Sequence, residues 1–138
     1  MKPCILLLTL AVLSISQSVR ADDDSPLEEQ MKILARGTKQ LSKQITNPAQ
    51  QQENITLLET LKKAASDSES LEPAKTKTIP EAGRAAFLSD YRAELETLKS
   101  AFDQVEQAVK SGDYSKAQSL LERVNPIRKE GHSKFKLD

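Results

Sequence analysis

Mostly apolar residues recur on steps of four and three along this chain, and that spacing constrains the fold more than any other feature. One run is Leu27, Met31, Leu34, Thr38, Leu41, Ile45. A second is Phe87, Tyr91, Leu95, Leu98, Phe102, Val105, Val109. At 100° per residue such steps hold each set on one side of an α-helix, the pattern of helices that pack in a bundle. Two shorter runs follow the same period: Ile55, Leu58, Leu61, Ala65, and Ala117, Leu121, Val124. Each stripe is one-sided, so no helix can bury its own.

Punctuation separates the stripes. Ser25 is a cap, Pro26 suits the first helical position, and Glu28 completes a capping box. Asn47-Pro48 ends the first helix and starts the second, which is predicted to run to about Ala65. Residues 66–80 are mostly Ser, Asp, Glu, Lys and Thr around Pro73 and Pro80, and read as one long connection. The third helix is predicted over 81–110, closed by Ser111-Gly112. Asp113 caps a fourth, which should reach Phe135 and bend at Pro126, where the backbone bond to the Glu122 carbonyl is lost. Four Gly and no Trp suit helix throughout. Short turns make hairpins of helices 1–2 and 3–4. The expected fold is therefore all-α, an antiparallel up-down-up-down four-helix bundle over residues 22–138.

The first 21 residues read differently. Lys2 precedes the apolar run Ile5 to Leu13, and Val19-Arg20-Ala21 offers small residues where a signal peptidase cuts. Cleavage after Ala21 is expected, leaving a soluble protein of the periplasm with no membrane anchor, since the run is about half of what spans a bilayer. Removing Lys2 and Arg20 leaves two more acidic than basic residues, which is no footprint for nucleic acid. Cys4, the only cysteine, goes with the signal, so a disulfide and thioether attachment through Cys-x-x-Cys-His are both excluded.

Cleavage would leave one methionine, Met31, and one histidine, His132. An up-down-up-down order puts the start of helix 1 beside the end of helix 4. His132 follows Leu121 by eleven residues, three turns plus about 20°, so it should share the core-facing side of helix 4. A thioether and an imidazole facing one another suit a low-spin haem iron, and that pair is an electron-transfer arrangement. Taken singly, Met31 is core filler and His132 complements a helix dipole.

The chain resembles the cytochrome b562 family of periplasmic haem proteins across essentially residues 22–138. The likeness is carried by Leu27-Glu28-Glu29-Gln30-Met31, by Ser111-Gly112-Asp113-Tyr114-Ser115-Lys116-Ala117-Gln118, and by Arg128-Lys129-Glu130-Gly131-His132-Ser133-Lys134-Phe135. The resemblance implies one non-covalent haem b per chain, Met31 and His132 as iron ligands, and Arg128 near the haem. It also implies two pocket aromatics on helix 3; the matching positions are Tyr91 and Leu95, the second aliphatic. Leu27, Leu34, Leu88, Tyr91, Leu95, Val124 and Phe135 are expected to shield the ring. Gly131 softens the turn that aims His132.

Other features carry less. Arg123, Arg128, Lys129, Lys134 and Lys136 crowd the last turns, where they suit the helix dipole, haem propionates or an acidic redox partner. Gly37 reads as a tolerated break away from the stripe. The sequon Asn54-Ile55-Thr56 is discounted because it lies inside a helix. Hydrolytic, di-iron and phosphate-loop motifs are missing, so an enzyme is not expected. The expected protein is a monomeric electron carrier with a redox protein as partner. The rival is a haem-free envelope bundle that binds a protein or answers stress.

Overall fold

The computed structural model describes residues 25–137. The expected signal segment 1–21 and its cleavage after Ala21 lie outside the described residues. Among the described residues there are five α-helices: α1 Pro26–Gln44, α2 Gln51–Ser68, α3 Glu81–Lys110, α4 Tyr114–Glu122 and α5 Val124–Phe135. The last two are halves of one broken fourth helix, and the molecule is the antiparallel four-helix bundle that the stripes predict. Among the described residues there is no strand, and no helix is long and apolar enough to cross a membrane.

Three side chains cap helices or turns where the sequence suggests. The Ser25 side chain accepts from the Glu28 amide at 3.2 Å, Asn47 from Ala49 at 3.0 Å, and Asp113 from Lys116 at 3.0 Å. Gly112 takes φ +74° after α3. Its amide reaches the Val109 carbonyl and that of Asp113 reaches Ala108, the paired bonds that close a helix around a left-handed residue.

Three boundaries differ. α2 runs on to Ser68, because the fully buried Ser68 hydroxyl donates back to Ala64 at 2.7 Å and Lys63 pairs with Asp67. The connection is not wholly irregular; Ala74–Thr78 forms a 3₁₀ turn. The predicted bend is a break. Arg123 ends α4 with its amide on the Leu120 carbonyl, a tightened turn, and α5 restarts at Val124 with Pro126 in its first turn.

Gly37 is not merely tolerated. It is buried, and a Cβ there would stand 2.5 Å from Leu61 Cδ2, so α1 and α2 meet at a point that has no room for a side chain. Asn54 is also fully buried; its side-chain oxygen accepts from Gln44 at 2.8 Å, consistent with discounting the sequon.

The core divides in two. The larger part holds Leu41, Ile45, Leu58, Leu61, Phe102, Val105, Val109 and Val124, all essentially without exposure. A smaller cluster of Tyr91, Leu95 and Phe135 lies nearer the chain ends, with Leu27, Met31 and Phe87 packed on it. Met31 touches both parts.

Candidate functional site

A cleft of about 460 Å³ opens beside the smaller cluster. Its size falls in the roughly 300–1,000 Å³ range usual for cofactor sites. Chain direction builds it: the start of α1, the middle of α3 and the end of α5 converge there. Met31 lines it from α1 and His132 from α5, so the topology brings the thioether and the imidazole to one hollow.

The two differ in setting. Met31 is half-buried, whereas His132 is exposed. The helix-phase count that aimed His132 at the core assumed an unbroken fourth helix, and the break at Arg123 interrupts it. The residue as a whole is open to solvent, but the cleft wall takes part of the water from its ring, and this partial burial first, then the positive charges of Lys136 and Arg128, hold the imidazole below its ordinary pKa. At neutral pH the ring is therefore neutral and keeps the nitrogen lone pair that a metal needs.

Aromatic packing holds α5 against α3 here. Phe135, one turn past His132, meets Phe87 and Tyr91 edge-on, with ring centroids 5.3 and 5.5 Å apart. The Tyr91 hydroxyl donates to the Ser68 carbonyl at 2.8 Å, which ties α3 to the end of α2. Burial above all pushes that phenol up to about 12, so it is a structural donor rather than a proton carrier.

Leu27, Leu34, Tyr91, Leu95, Arg128 and Phe135 line the cleft as expected. Leu88 and Val124 do not. Leu88 is half-buried and lies on α3 nearly a turn before Tyr91, the first residue of that helix in the wall. Val124 opens α5 just after the break and is fully buried in the larger core. The sequence did not reveal Pro73 and Ala74, which reach the wall from the connection between α2 and α3. A 3₁₀ turn among proline and lysine residues leaves no apolar period to follow. Leu98 and Ile127 also line it, the first legible on its stripe and the second hidden by the broken helix. Of the basic cluster, Arg128 and Lys136 reach the cleft, while Lys134 pairs with Glu130 at 2.6 Å. Lys32, Glu28 and Glu94 complete a rim of mixed charge.

The sequence model of the cytochrome b562 family matches residues 26–136. This chain belongs to the cytochrome b562 family. The match includes both halves of the fourth helix. No curated protein matched the chain. Membership in the cytochrome b562 family marks a haem-binding electron carrier rather than a typical enzyme.

The residues present fit a haem. A soft sulfur and a neutral imidazole share one hollow, the walls between them are largely aliphatic and aromatic, and cations stand at the rim. Among the described residues no group of three His, Cys, Asp or Glu could hold a bare metal ion instead.

Proposed function

We propose that the mature chain is a soluble, monomeric periplasmic cytochrome that holds one non-covalent haem b between Met31 and His132 and carries single electrons between redox proteins. The observation that supports it is the position of Met31 and His132 on two helices that flank one apolar cleft. Bound haem supplies a one-electron iron couple. The chain does the rest. His132 offers a neutral ring nitrogen, and Met31 a thioether that favours the reduced state. Leu27, Leu34, Tyr91, Leu95 and Phe135 exclude water, which disfavours extra charge at the iron and raises the potential further. Arg128 and Lys136, which line the cleft, would pair with the carboxylates at the haem edge. Met31 and His132 would hold the iron between two side chains and leave it no open site for a substrate, which would favour electron transfer over oxygen chemistry. With no cysteine after Ala21, attachment rests on coordination and packing alone.

Met31→Ala tests the assignment. The reduced, haem-loaded variant should lose the sharp split α/β bands of a six-coordinate iron and become high-spin. A variant that stays low-spin with no added ligand removes Met31 from the coordination sphere. Fractionation of the full chain should recover the protein from the periplasm, shortened after Ala21.

A further inference from the structure

Leu137 is the large apolar side chain left exposed among the described residues, at 47%. Its place is not arbitrary, because it lines the cleft. Had α5 continued, residue 137 would sit one turn beyond Ser133, which is exposed and forms no part of the cleft wall. Instead the helix stops at Phe135. Lys136 donates its amide to the His132 carbonyl, then turns to extended backbone with ψ 139°. That one change of dihedral carries Leu137 back to the cleft. The protein itself gives Leu137 too little apolar cover, whereas the face or edge of a flat apolar ligand in the cleft would cover it.

We propose that Leu137 is a haem-contacting cap: the segment after α5 folds its leucine against the bound ring and slows haem release. The inference rests on the function proposed above. It assigns the residue no part in coordination. Its contribution is removal of its remaining exposed apolar surface from water, together with that of the haem edge it covers.

The test compares the wild-type chain with Leu137→Ser and Leu137→Met, each in apo and haem-loaded form. Haem loss to excess apomyoglobin should be about five-fold faster for Leu137→Ser, the effect of uncovering roughly half a leucine. Leu137→Met should stay near wild type. The apo proteins should melt together, since Leu137 is no part of the core. Carboxypeptidase should trim wild-type apo protein past residue 137 faster than haem-loaded protein. Equal haem loss from wild type and Leu137→Ser, or equal trimming with and without haem, overturns the cap and leaves the cytochrome intact. An apo melting point lowered by Leu137→Ser also overturns it, because the residue would then support the fold. A wild-type chain that forms no Soret band on adding haem defeats the cap and the function together.

Discussion

At the end of the bundle where α1 closes and α4 begins, the side chains fit without remainder: Ile45, Leu58, Phe102, Val105 and Val109 have essentially no exposure. Polar groups there are spent as well. Gln44 and Asn54 bond each other, and the Gln51 side chain donates to the Val109 carbonyl at 2.8 Å. At the other end Tyr91, Leu95 and Phe135 keep 4, 6 and 8% exposure, Met31 is half-buried, and His132 and Leu137 stand exposed around a cleft. The same four-and-three periodicity runs through both ends. What differs is whether protein atoms alone complete the packing. One end is a finished core, and the other is an open cleft.

Phe102→Ala should break the closed end most severely. The ring is fully buried, and its loss should cost about 3–5 kcal/mol in urea unfolding of the apo protein. Gly37→Val should follow at about 2 kcal/mol, because Leu61, itself fully buried, occupies the place of the new Cβ. An unchanged midpoint for Gly37→Val would mean that the α1–α2 approach can relax.

A buried carboxylate sharpens the contrast through pH. Glu106 is 3% exposed and pairs with Lys62 and Lys110. Burial pushes its carboxyl up, but the two ammonium groups outweigh it and the net shift is down. The folded pKa is thus below the unfolded one, so the stabilisation is complete above about pH 4.3 and disappears as pH falls through the folded value. Glu106→Gln should cost about 1–2 kcal/mol at pH 7. The difference from wild type should shrink below about pH 4. A pH-independent difference would point to lost packing instead of lost charge.

The smallest effect on folding belongs to the open end. His132→Ala should change apo stability by less than about 0.5 kcal/mol, since the residue is largely open to solvent and no part of the core, while removing haem binding with low-spin character. Large loss of apo stability would show that the cleft is part of the core after all.

Much of this contrast was legible in the residues. Stripes and caps gave four helices and their direction, and direction alone brought Met31 and His132 together. The resemblance to a family supplied Arg128. Periodicity names the face of a helix but not the neighbour it meets, which is why Gly37 looked harmless and Val124 looked like a pocket residue. It is silent wherever helical phase is interrupted. The break at Arg123 hid Ile127, the 3₁₀ turn hid Pro73 and Ala74, and the extended backbone at Lys136 hid Leu137. The helical extension to Ser68 was missed for another reason: its hydroxyl and carbonyl are satisfied by Ala64 and Tyr91, contacts that local propensity does not contain.

Stoichiometric titration of the purified mature chain with haem, followed by absorbance, tests the central claim most directly. The account predicts a Soret band that saturates at one haem per chain and, on reduction, the split α/β bands of a six-coordinate low-spin iron. Absorbance that rises without saturation, or a chain that stays colourless after gel filtration, would contradict it and leave the cleft without its proposed occupant.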